Sequence, residues 1–337
     1  MEKKILEGIV LKQAYIIIGA AGHLARTIIM KLNPEMDVIR GLVLPHEPQE
    51  FSQVDYFEGD ITQPETLVPL FQGLEDYQVN VIHTAAIISI SEEVSDTIYQ
   101  VNVNGTKNVI KVCQDFKVNR LIYVSSVHAM PELPGLQVMK EIAFFNPAKA
   151  DGAYGKTKAE ATQAVLDAAK NGLPAIVVHP SGIIGPYDDC NNHTTELIQM
   201  YMAKKLPAAI AGGYDFVDVR DVADGILSAV YHGRIGETYL LTNRYIAIPD
   251  LVECMRRAIP GRKKVPTIPL GVVKLALPVV GLFSKLTGKR ALFTKQSLSI
   301  MESNGHFSHE KATNELGYHP RPIQETVTDT IQYLQER

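Results

Sequence analysis

The chain has 337 residues, 46% hydrophobic and 21% charged, with 33 Lys plus Arg against 37 Asp plus Glu and a net charge of −4. That composition excludes intrinsic disorder and offers no positive excess for gripping a nucleic-acid backbone. Three scattered cysteines, Cys113, Cys190 and Cys254, form neither a disulfide framework nor a zinc-ligand spacing.

Residues 1–13 contain Lys3 and Lys4 but no long apolar stretch, so no secretory signal is expected. The chain then alternates strand-like and helix-like segments. A β-branched run at 15–18 is followed by a glycine-bearing turn and a helical pattern over 23–32. Apolar runs at 38–44, 54–58, 81–83, 121–125 and 175–179 predict further buried strands, with helices over 66–71, 95–116 and 153–171. Parallel strands need crossover connections, so this order predicts an α/β fold with helices on both faces of a parallel sheet. Past Pro180 strands thin out, with one at 238–241 expected to join the sheet and a last helix at 323–335. The stretch 265–283 is apolar, but Pro266, Pro269, Lys274 and Pro278 interrupt it. It reads as helices under a protein surface, and no stable membrane insertion is expected. The default compartment is the cytoplasm.

Three segments carry chemistry. Gly19-Ala20-Ala21-Gly22-His23-Leu24-Ala25 follows a predicted strand and opens a predicted helix. Gly19 permits a sharp turn, Gly22 lets a pyrophosphate approach the backbone, and the helix end attracts anions. Tyr154 and Lys158 stand four apart on a predicted helix and so share a face, where a cation favours the phenolate. Ser125 and Ser126 close a buried strand, the place where open α/β sheets bind ligands. Taken singly, each has a plainer reading: a tight turn, a surface pair, and serines that satisfy backbone groups.

Together these segments resemble the extended short-chain dehydrogenase/reductase family over nearly the whole chain, with most similarity to bacterial dihydroflavonol-reductase-like proteins. The glycine turn resembles the family's GxxGxxG with Ala25 in the last place. Asp60-Ile61, His83-Thr84-Ala85-Ala86, Asn102-Val103-Asn104-Gly105-Thr106 and His179-Pro180-Ser181-Gly182-Ile183 resemble further family segments in the same order. Phe216–Ala223 and Leu316-Gly317-Tyr318 follow in turn, and Asn146-Pro147 and Ser303–Ser308 add to the likeness. The resemblance implies a doubly wound Rossmann domain over 1–180 and a smaller, mostly helical substrate lobe over 181–337. It implies Ser126, Tyr154 and Lys158 as the catalytic residues of an NAD(P)-dependent ketone or aldehyde reductase. It also implies a coenzyme site built from Gly19, Ala21, Gly22, His23, Leu24, Asp60, Ile61, Thr84, Ala85, Ala86, Asn102, Tyr154, Lys158, Pro180, Ser181, Gly182 and Ile183. Relatives often dimerise through the helices at 95–116 and 153–171, so a homodimer is compatible with the chain.

Departures from the pattern narrow the choice. Leu44 ends the second predicted strand where an acid would favour NAD and an arginine NADP; without a cation for the extra phosphate the site leans to NAD. Val127 and His128 follow Ser126 where sugar dehydratases of the family carry acids. The stretch 187–214 offers Lys204 and Lys205 among apolar residues, which fits an apolar or aromatic substrate better than a nucleotide sugar. His128 and Tyr187 are the substrate-side candidates. A nucleotide-sugar epimerase and a non-catalytic dinucleotide sensor are the alternatives. Asp188, Asp189 and His193 lack metal-ligand spacing, and no metal is expected. Asp221 and Ser308 are expected to cap helices starting at 222 and 309.

Overall fold

In the computed structural model, residues 12–89, 91–189, 192–273 and 302–337 are described. β1 (Lys12–Ile18) is apolar on both faces and leads through the glycine turn into α1 (His23–Lys31). β2 (Asp37–Val43) and β3 (Asp55–Glu58) extend the sheet to one side of it. The chain then crosses to the other side of β1, where β4 (Tyr77–His83) pairs with it. α2 (Asp96–Tyr99) is capped by the Ser95 hydroxyl and runs through a π-helical stretch, Gln100–Gly105, into α3 (Thr106–Asp115). β5 (Arg120–Val124) and β6 (Ala175–Pro180) follow, joined across one face by α4 (Gly152–Lys170).

Next come β7 (Gly182–Ile184), α5 (His193–Met202), β8 (Ala209–Ile210), β9 (Gly213–Asp218) and α6 (Val219–His232). β10 (Thr238–Leu241) returns to the main sheet beside β6. β11 (Arg244–Ala247), α7 (Ile248–Ala258), β12 (Thr267–Ile268), α8 (Glu310–Leu316) and α9 (Ile323–Gln335) complete the described elements. The main sheet has seven parallel strands in the order β10-β6-β5-β4-β1-β2-β3, with helices on both faces: the expected doubly wound fold. β7 and β11 flank β9 in a small second sheet, and β12 pairs with β8.

This order sets the site. The chain leaves β1 in opposite directions on its two sides, so a crevice opens where β1 and β4 end. Their carboxyl ends are level, Ile18 lying opposite both Leu42 and His83.

Three local expectations change. The helix predicted over 66–71 is two short 3₁₀ turns, Pro64–Thr66 and Val68–Leu70, because Pro69 has no N–H to continue an α-helical ladder. Asp218, not Asp221, caps α6, accepting the Arg220 N–H at 2.8 Å. Asp221 instead takes the Arg321 N–H and Nε at 2.8 Å each, tying α6 to the segment before α9. α8 begins one residue later than expected, although the Ser308 hydroxyl still accepts the Glu310 N–H at 3.3 Å. Cys190 and the part of the apolar stretch beyond residue 273 lie outside the described residues. Among the described residues no helix is long and apolar enough to cross a membrane, and no group of His, Cys, Asp and Glu could hold a metal ion.

Candidate active site

The glycine turn builds one end of a crevice of about 1050 Å³. Gly19 has φ +87°, and a Cβ there would come within 3.0 Å of the Ala85 backbone, so β4's outgoing loop packs where a side chain would stand. Gly22 begins α1 with no side chain capping its first amides, which leaves those donors for an anionic ligand. The His23 ring is held aside by a 2.7 Å hydrogen bond with the Pro186 carbonyl.

The Asp60-Ile61 loop is fixed from two directions. Asp60 Oδ1 accepts both the Thr62 N–H and hydroxyl, at 2.8 and 2.9 Å. Asn108 donates to the Ile61 carbonyl at 2.8 Å. Gly105 lets the π-helical stretch lie directly on Ile61, since a Cβ there would sit 2.6 Å from that side chain.

The wall opposite the glycine turn comes from β5 and α4. Gly155 has no room for a side chain, because a Cβ would fall 2.6 Å from the His128 carbonyl. That contact seats α4 against the turn after Ser126, which brings Tyr154 to Ser126. Burial pushes the Tyr154 phenol up to about 12, and the nearby Ser126 hydroxyl offsets part of that rise. One helical turn on, Lys158 is 1% exposed. It donates to the Val124 carbonyl at 2.7 Å and lies 4.4 Å from the Tyr123 ring centroid. Burial lowers its amine to about 7. His179 fixes the backbone behind Ser126 through Nδ1, 2.9 Å from the Ser126 carbonyl, and burial holds its ring neutral with a pKa of about 4.

Beyond Tyr154 the crevice turns apolar and aromatic, with Met130, Met139, Tyr214 and Phe307 on its wall. His128 stacks on Tyr214 with centroids 5.6 Å apart, and His128 Nε2 and the Tyr214 hydroxyl are hydrogen-bonded at 3.1 Å. The segment 303–308 closes this end. Met139 N–H donates to the His306 carbonyl at 2.8 Å, Ser308 N–H returns to Met139 at 2.9 Å, and Asn304 Nδ2 donates to the Leu133 and Gln137 carbonyls.

Of the residues expected at the site, Ser126, Tyr154, Lys158, His128, Gly19, Gly22, His23, Leu24, Asp60, Ile61, Thr84–Ala86 and Pro180–Ile183 all line this crevice. Three do not. Ala21 packs toward Phe51 and Tyr56 on the far side of the turn. Asn102 is buried behind the wall, bonded to the Ile87 backbone. Tyr187 takes a positive φ of 71° and sets its ring against Tyr333 at 5.3 Å, away from the lining, because the left-handed turn reverses its direction. Several lining residues, among them Glu47, Met130, Met139 and Tyr214, carried no signal in the sequence, whereas Phe307 and Asn304 belong to a segment already singled out.

Residues 16–246 match the 3-beta hydroxysteroid dehydrogenase/isomerase family. A protein provisionally named dihydroflavonol 4-reductase from Synechocystis sp. is 26% identical over 337 aligned positions, spanning 97% of this chain and 96% of that one. Sterol demethylase protein B of Methylococcus capsulatus is 25% identical over 334 positions, covering 96% and 98%. The crystal structure of gox2253 superposes with a TM-score of 0.80 at 27% identity, covering 96% of this chain and 98% of that one. With the matched segment spanning more than half its length, the chain belongs to the 3-beta hydroxysteroid dehydrogenase/isomerase family, within the extended short-chain dehydrogenases/reductases.

Proposed function

We propose that this protein is a nicotinamide-dinucleotide-dependent oxidoreductase that interconverts a ketone or aldehyde with its alcohol on an apolar or aromatic small molecule. The observation that carries this reading is the meeting of Ser126, Tyr154 and Lys158 on one wall of a crevice whose other end is the glycine turn. The residues fit the coenzyme: the uncapped start of α1 and the bare backbone at Gly22 suit a diphosphate, and Lys158 follows Tyr154 by one turn of the same helix. When bound, the nicotinamide ring supplies or accepts the hydride.

The chain's own residues handle the proton. In reduction Tyr154 gives its phenolic proton to the carbonyl oxygen, and a pKa of about 12 keeps that proton in place at neutral pH. Ser126 steadies the oxygen as negative charge develops there. With a pKa of about 7, Lys158 reaches its protonated form near neutrality, and in that form it makes the phenolate less costly, which helps Tyr154 release its proton in reduction. The Met, Tyr and Phe side chains make the end beyond Tyr154 apolar, which favours an apolar carbonyl compound over a nucleotide sugar. The name of the matching family and those of the two curated relatives given above support the same reading.

Replacing Tyr154 by Phe tests the reading. With a panel of sterols, aryl ketones and short aldehydes, turnover followed by nicotinamide absorbance should fall by about 10²-fold or more while coenzyme affinity is kept. Unchanged turnover in Y154F would remove Tyr154 from the proton transfer.

A further inference from the structure

The strand that ends at the ribose side of the crevice is followed by Leu44, which can neither accept a hydroxyl nor pair with a phosphate through its side chain. The fold brings in an acid from three residues on. Leu44-Pro45-His46-Glu47 closes a tight turn in which the Glu47 N–H donates to the Leu44 carbonyl at 3.1 Å. Pro45 sets the second position and His46 takes the third with φ +71°, the pattern of a type II turn. The Glu47 side chain folds back on the start of that turn, Oε2 accepting the Leu44 N–H at 2.8 Å. The carboxylate thereby becomes part of the crevice wall at the carboxyl end of β2.

We propose that Glu47 is the coenzyme-selecting residue of this protein: its carboxylate accepts the adenosine ribose hydroxyls of NAD(H) and excludes the 2′-phosphate of NADP(H). The inference rests on the dinucleotide reading of the crevice given above. Among the described residues Oε1 has no hydrogen-bond partner, so an acceptor remains for a hydroxyl donor. A 2′-phosphate has no proton to offer at neutral pH and adds about two negative charges. The surroundings do nothing to compensate. The lining at this end is Leu42, Val43, Leu44, Gly59, Asp60 and Ile61, which adds a second carboxylate and no cation.

The nearby arginines are committed elsewhere. Arg40 of β2 donates to the Leu70 and Gln72 carbonyls at 2.9 and 2.7 Å and lies over the Phe57 ring. Arg26 of α1 is paired with Glu50 and Asp189. Among the described residues lining this end, a 2′-phosphate would therefore meet like charge and no counter-ion.

The test is a fluorescence titration of the full-length protein with NADH and NADPH in wild type and E47Q. Glutamine keeps an oxygen for the Leu44 N–H, so the turn survives while the charge is removed. Wild type should bind NADH more tightly. E47Q should narrow the ratio of the two Kd values by about tenfold or more, the loss expected when a hydrogen bond to a charged group goes. E47S, which also removes the carboxylate, should move the ratio in the same direction. A ratio unchanged in both variants, or a wild type that prefers NADPH, would overturn the assignment to Glu47 and leave the dinucleotide reading intact. Binding of neither coenzyme by wild type would overturn that underlying reading, and the inference with it.

Discussion

The amide of Asn102 clamps the backbone of Ile87 from both sides, its oxygen accepting the Ile87 N–H at 2.8 Å and its nitrogen donating to the Ile87 carbonyl at 3.0 Å. The same nitrogen also donates to the Thr157 hydroxyl at 3.1 Å, one residue before Lys158. Asn102 lies in the π-helical stretch between α2 and α3, where the helix departs from its regular spacing. One buried side chain thus fastens the loop after β4, a wall of the crevice, to the helix that carries Tyr154 and Lys158.

Replacing Asn102 should therefore cost more than one ordinary hydrogen bond. N102A orphans both Ile87 backbone groups and should lose about 2–4 kcal/mol in urea unfolding at pH 7. N102D keeps the acceptor but turns a carboxylate oxygen toward the Ile87 carbonyl. It should be at least as damaging at pH 7 and recover part of the loss near pH 5, where a protonated acid can donate again. A pH-independent N102D, or one as stable as wild type, would show that the clamp contributes little.

Lys158 makes a second prediction, about stability rather than turnover. Its folded-state pKa of about 7 lies below the ordinary lysine value because its amine is buried with one carbonyl and one aromatic face for company. Between pH 7 and about 10 the unfolded chain holds a proton that the folded chain has released, so stability rises with pH across that window. Below pH 7 the penalty of the buried charge is fully present. K158M should lose activity yet unfold at higher urea than wild type at pH 7, by about 2 kcal/mol, with the difference shrinking toward pH 10. A wild-type minus K158M difference that stays flat from pH 7 to 10 would mean the amine is not held in a disfavoured charged state.

What could be read in the sequence was local in character. The glycine turn, the Tyr154–Lys158 spacing and the alternation of strands with helices all depend on residues within a few positions of each other. The doubly wound sheet follows from them through the crossover rule. The substrate end was hidden because its contacts are distant in the chain. Tyr214 reaches His128 across 86 positions, and Asn304 reaches the Leu133 carbonyl across 171. Glu47 was hidden for another reason: it is three residues from the expected place, and only the turn made by Pro45 and His46 brings it back. Tyr187 has a suitable side chain in a suitable stretch, but a positive φ turns it toward Tyr333.

Asp215 carries the last prediction. It is fully buried on β9, directly after Tyr214, and its Oδ1 accepts the Ser181 hydroxyl and, at 3.0 Å, the Asn243 N–H. Among the described residues its Oδ2 is buried with no partner. Ser181 lines the crevice, so Asp215 acts there as a positioning residue. Burial lifts its carboxyl from the ordinary range to about 6, with the two hydrogen bonds opposing the rise. The folded chain therefore keeps a proton between pH 4 and 6 that the unfolded chain has released. Stability from this group is full below pH 4, falls as pH climbs through 6, and stays reduced above it, by at most about 3 kcal/mol. D215N is neutral throughout and can still accept from Ser181 through its amide oxygen. In paired urea denaturations it should gain on wild type by about 1–3 kcal/mol between pH 4.5 and 7. If the gap between the two proteins is the same at both pH values, Asp215 is not held as a strained buried acid, and its bond to Ser181 must be maintained by packing alone.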